Sequence, residues 1–140
     1  MFNKLLSLGT SQNQLNVASL ILRIIGGGFM LTHGWPKLQK LLNGDFKFAD
    51  PIGLGPEISL ILTVAAEFGA ALLLLIGLGT RLVSLPLMFT MLVAAFVAHG
   101  ADPFGKKELA LMYFGVYFAL FLLGSGKFSL DAMFNKNKSA

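Results

Sequence analysis

Two His-Gly steps, His33-Gly34 and His99-Gly100, and two charges set deep in apolar runs, Arg23 and Glu67, are the groups here best placed to do chemistry. Imidazoles can exchange protons near neutral pH, ligate a metal or a haem iron, or close a helix end. Lys37 and Glu108 fall near the same membrane face as the histidines in the span order derived below, and could complete a polar site. Three readings of the histidine pair stay open: helix-end caps, a ligand-binding or proton-transfer pair with Glu108, and haem or metal ligands. The last has the thinnest support, because Glu108 is the one further ligand at hand. No metal site is assigned, and no catalytic residue is named. The chain has no cysteine, which excludes thiolate metal sites, iron–sulfur ligation and CxxC redox chemistry. It also lacks a nucleophile elbow and a Gly-rich phosphate loop after a strand.

The elements that must position these groups are membrane spans. The 140 residues are 55% apolar and 13% charged, about half the charged share of an ordinary globular domain. Mean hydropathy is +0.73. Such a chain cannot cover a soluble bundle with polar faces. The net charge of +4 comes from Lys and Arg at the ends of apolar runs, where membrane proteins keep them, and gives no nucleic-acid signature. Four helices are expected, over residues 17–35, 57–79, 82–99 and 108–124, the last of them short for a span. The fold class is an all-α membrane protein, a four-helix transmembrane bundle running up-down-up-down. Residues 1–16 are expected to be interfacial or loosely ordered, 17–134 to form the membrane domain, and 135–140 to be a disordered tail. Arg23 would interrupt the hydrophobic region of a signal peptide, so the first run is expected to stay as a span.

The motif order repeats. His-Gly, Pro, Lys, Glu, a span and Gly-x-Gly-x-basic occur over residues 33–81, and in similar order over residues 99–127. Each half is a helical hairpin of the same direction, which predicts a parallel internal repeat and places His33 and His99 at one depth. Arg23 and Glu67 each fall about ten residues inside their His-side ends, roughly 15 Å at the helical rise. An arginine at mid-bilayer should be paired, so an Arg23–Glu67 ion pair is expected, either as a packing staple or as the wall of a polar cavity. Small residues, Gly26 to Gly28 and Ala65, Ala66 and Gly69 to Ala71, would let the two helices approach closely.

The segments LRIIGGGFMLTHGWPKL (22–38), AAEFGAALLLLIGLGTRL (65–82), AAFVAHG (94–100), ELALMY (108–113) and GSGKFSLDAMF (124–134) together resemble the DoxX family of small bacterial and archaeal membrane proteins. The resemblance implies a four-helix membrane protein associated with quinone-linked or oxidative-stress redox complexes. It also marks Arg23, His33, Lys37, Glu67, Arg81, His99, Glu108 and Asp131 as family-like polar positions. Family chemistry that relies on cysteine is not available to this chain.

The expected function is therefore a redox-associated membrane subunit, at most an accessory to a quinone-linked oxidoreductase. It would bind a quinone-like amphiphile through His33, His99, Glu108, Lys37, Arg23 and Glu67, with quinone favoured over haem as a cofactor. The alternatives are a small-molecule or lipid carrier or channel, and a non-catalytic scaffold whose polar core only fixes packing. Partners expected are the bilayer, membrane or peripheral redox proteins and a second copy of the chain. Basic residues divide five and five between the two faces, so the positive-inside count is neutral. The distribution of acids favours both termini on the cytoplasmic side of the inner membrane.

Overall fold

A computed structural model describes residues 1–138. Among these residues it holds six helices and no strand: α1 (Phe2–Leu5), α2 (Gln12–Leu42), α3 (Pro56–Ile76), α4 (Thr80–Ala98), α5 (Phe104–Leu123) and α6 (Leu130–Lys138). Helices α2, α3 and α4 are long and apolar enough to cross a membrane. The 20 residues of α5 are of similar length, but its first two turns carry Lys106, Lys107 and Glu108. Helix α2 packs on α3, α3 on α4 and α4 along α5, and α5 returns to α2. The core they enclose is Met30, Leu74, Leu87, Met91, Tyr113, Tyr117 and Leu120 with alanines between. The exterior is as apolar as the core: Phe29, Leu82, Phe89, Phe96, Met112 and Leu122 are all exposed, while Asn16, Ser19, Arg23 and Glu67 are buried. That inversion is what lipid as a solvent requires.

Several boundaries differ from the sequence expectation. Helix α2 starts at Gln12 rather than 17, because Ser11 and Gln14 form a reciprocal capping box. It also runs past 35 to Leu42 with Pro36 inside it. Proline in a helix interior costs about 3 kcal/mol, and two contacts with α3 offset this. A Cβ on Gly34 would stand 2.5 Å from the Glu67 carbonyl, so the backbones touch there. Lys37, three residues on and on the same face, pairs with the Glu67 side chain. The fourth long helix begins at Phe104, not 108, and has 20 residues, but it is not among the three helices long and apolar enough to cross a membrane. Residues 135–138 continue helix α6 instead of fraying, and 139–140 lie outside the described residues. Of residues 1–16, expected to be interfacial or loosely ordered, 12–16 belong to α2, and α1 is a single turn with no buried residue.

Three of the long helices contain a π-helical turn: Ile24–Phe29 in α2, Ala65–Ala70 in α3 and Ala94–Ala98 in α4. In α2 the turn is built on Gly26, Gly27 and Gly28. A Cβ on Gly27 would meet the Ala71 carbonyl at 2.7 Å, so only glycine allows that crossing. Tyr117 from α5 donates its hydroxyl to the Gly26 carbonyl at 2.8 Å. Such turns gather at functional sites, and each here contains or adjoins a residue of the site.

Candidate functional site

The polar residues divide into two groups at opposite ends of the helices. At one end, a cavity of about 180 Å³ is lined by His33 from α2, Glu67 from the π turn of α3, His99 just after the π turn of α4, and Lys106 and Tyr113 from α5. Met30, Met91, Ala94, Leu109 and Ala110 make its apolar walls. The structure thus brings both predicted histidines and Glu67 onto one space.

Glu67 is buried, and its Oε2 accepts from the Lys37 ammonium. The His33 ring meets Tyr113 edge-on, with centroids 5.8 Å apart and planes at 87°. Tyr113 stacks in turn on Tyr117 at 6.0 Å. His99 bonds through Nδ1 to Asp102 Oδ2 at 2.8 Å. That hydrogen bond, aided by Lys106 and Lys107, holds the Asp102 carboxyl below the usual carboxylate range. An ionised carboxylate only accepts, so in a neutral His99 ring the proton sits on Nδ1 and Nε2 keeps its lone pair.

Glu108 does not join this group. It is exposed and absent from the cavity wall, which Lys106, Leu109, Ala110 and Tyr113 reach at intervals of three and four along α5. Two residues beyond Lys106 is about 200° of helical rotation, so position 108 faces away.

The expected Arg23–Glu67 pair does not form. Arg23 lies at the other end, where Nε donates to Leu74 O at 3.2 Å, Nη1 to Ser125 O at 2.6 Å, and Nη2 to Leu75 O at 3.2 Å and Phe128 O at 2.8 Å. Antiparallel packing explains the register. Gly27 lies against Ala71 and Leu75, and Gly34 against Glu67, so one turn before Gly27 the chain meets the C-terminus of α3. Counting inward from His33 as a helix end placed Arg23 too near Glu67, because α2 continues to Leu42.

Around Arg23 the 124–129 segment is tied down further. Asp131 takes the Gly79 amide on both carboxylate oxygens, each at 3.0 Å, and the Ser125 hydroxyl donates to it as well. Although partial burial pushes the Asp131 carboxyl up, those bonds, the Thr80 amide and Arg23 together hold it below the usual range. Arg81 donates to the Phe121 and Leu122 carbonyls at 3.1 and 3.2 Å. This end closes helix termini; Arg23 and Arg81 are spent on carbonyls.

The cavity also bears on cofactors. Among the described residues no three His, Cys, Asp or Glu side chains come together as a metal site. A volume of 180 Å³ is below the roughly 300 Å³ at which pockets begin to hold drug-sized ligands. A haem does not fit there. One small ring with polar substituents does fit. Sequence reasoning missed Asp102, whose signal was the i, i+3 spacing in HGAD, and Lys106 and Tyr113, whose signal was their shared helix face.

The DoxX family model matches residues 18–100. Over 123 residues the chain is 30% identical to the Bacillus subtilis (strain 168) protein described as "Putative oxidoreductase CatD", covering 87% of this chain and 90% of that one. No solved structure matches it. With more than half its length inside the family match and its long helices apolar on the outside, the chain belongs to the DoxX family of multi-pass integral membrane proteins.

Proposed function

We propose that this protein is a redox-associated membrane subunit that holds the ring of a quinone-like amphiphile in the His33–Glu67–His99 cavity. The observation that carries the proposal is the convergence, on one small space with methionine walls, of two imidazoles, a buried carboxylate and a tyrosine. The relative described as an oxidoreductase supports the redox assignment. The cavity suits a headgroup alone, so the tail must lie elsewhere. An apolar groove of about 360 Å³ runs between α3 and α4, with Leu62, Ala66, Pro86, Phe89 and Val93 in its walls. Ala66 on the groove is followed by Glu67 on the cavity, and Val93 by Ala94, so head and tail would straddle one helix seam.

Four spans running up-down-up-down, related as two parallel hairpins, are part of this reading. The shared cavity of His33 and His99 supports it. So are residence in the cytoplasmic membrane with both termini inside, and association with a redox protein or a second copy. The test is mass spectrometry of small molecules extracted from the detergent-purified protein, beside its absorption spectrum. A ring amphiphile near one per chain is expected, lost in His33→Ala/His99→Ala while Arg81→Ala retains it. Bulk phospholipid alone in the wild-type sample refutes the reading.

A further inference from the structure

Resting on the ring-in-cavity reading, we infer that the cavity recognises the reduced, hydroxylated form of its ring in preference to the oxidised, carbonyl form. The deep wall of the site offers acceptors. Lys37 occupies Oε2 of the buried Glu67, and among the described residues no donor reaches Oε1. In the neutral His99 ring Asp102 fixes the proton on Nδ1 and leaves the Nε2 lone pair as the polar atom the ring can offer elsewhere. His99 and Glu67 come from different helices and line the same 180 Å³. A ring hydroxyl can donate to either one. A ring carbonyl can donate to neither, and would set its lone pairs against a buried carboxylate oxygen.

The donors do not reverse this. Tyr113 on the wall can donate to a hydroxyl oxygen as well as to a carbonyl, because a hydroxyl accepts too. Lys106 lines the space but is itself exposed, so water satisfies it without a ligand. Lys37 is committed to Glu67, Lys107 donates to the Gly100 carbonyl, and His33 can serve as either donor or acceptor. Asp102 touches no ligand. It is a positioning residue that sets which ring nitrogen of His99 is free.

The test uses the full chain in lipid nanodiscs, titrated calorimetrically against an empty-nanodisc blank. The probes are 4-heptylphenol, its methyl ether 4-heptylanisole, and 1,4-naphthoquinone. One hydrogen bond to a charged acceptor is worth about tenfold in affinity, and the phenol is expected to exceed the ether and the quinone by that much. Glu67→Gln should reduce the preference to about threefold or less, since a neutral amide oxygen is the weaker acceptor. Because that variant disturbs a buried ion pair, Asp102→Asn, on an exposed connection, serves as the second. It should weaken phenol binding with an unchanged melting midpoint, and long-range proton–nitrogen spectra should show His99 moving from the Nδ1–H toward the Nε2–H form. Ether or quinone binding as tight as phenol, or a wild-type His99 protonated on Nε2, overturns the inference while the ring site stands. No saturable binding by any probe overturns both.

Discussion

Replacing Arg23 by methionine tests the account of the polar residues most directly. The guanidinium makes two short bonds, to Ser125 O at 2.6 Å and Phe128 O at 2.8 Å, and two longer ones to Leu74 O and Leu75 O at 3.2 Å. Charge-assisted bonds are worth about 1.5–3 kcal/mol and ordinary ones about 1 kcal/mol, which gives a gross loss of about 5–8 kcal/mol. Against this, burying a guanidinium costs several kcal/mol that methionine does not incur, so a net destabilisation of about 2–4 kcal/mol is expected. The loss should be local as well as global. Denaturant titration in detergent should show the lower stability, and limited proteolysis should show early cutting within residues 124–129, which Arg23 ties to α3. Glu67→Gln should leave that segment protected. Because Arg23 and Glu67 share no partner, the double variant Arg23→Met/Glu67→Gln should be additive to within about 0.5 kcal/mol. A coupling above 1 kcal/mol, or a 124–129 segment as resistant as in the wild type, would refute the separation of the two groups.

Other perturbations read other parts of the structure. Asp131 caps the start of α4, and its folded carboxyl is held below its ordinary value. Its contribution is therefore present above the unfolded pKa of about 3.9 and fades as pH falls through the lower folded value. Asp131→Asn should cost about 1 kcal/mol at neutral pH and should flatten the acid side of a stability–pH curve; an equal acid slope in both proteins would count against the cap. Gly34→Ala places a methyl 2.5 Å from the Glu67 carbonyl, whereas a Cβ on Gly69 meets nothing within 4 Å. The first should lose about 1–3 kcal/mol together with ligand retention, the second neither, as thermal melting and ligand extraction on both variants would show.

What was legible in the sequence was mostly hydropathy. Apolar runs long enough to span located α2, α3 and α4, and the repeated His-Gly motif put His33 and His99 on one level, where both line the cavity. What was not legible depended on pairing between helices. Pro36 is locally a stop signal, and only the Gly34–Glu67 contact and the Lys37 ion pair, both contributed by α3, explain why α2 continues through it. Arg23 was expected to seek the nearest acid. Carbonyls at the α3 terminus and the 124–129 segment, which no side-chain pattern advertises, satisfy it instead. Glu108 was misplaced because the start of α5 sets its phase, and that start lies four residues earlier than the apolar run suggests.

The π turns have a consequence for how one helix serves two ends of the molecule. A π turn carries about one residue more than an α turn, so it offsets everything beyond it by about 100° of azimuth. In α2 this offset lies between Arg23 and His33, and in α3 it contains Glu67. Each helix therefore behaves as two rods joined by a vernier rather than as one rigid rod. Deleting a single residue from the Gly26–Gly28 run would remove the extra residue and its offset together, leaving the two halves aligned on a plain α-helix, whereas replacing the π turn by an α turn at unchanged length would swing the His33 half about 100° away from the Arg23 half. The ligand end and the closed end are thus in torsional gear, and the glycine run sets the tooth.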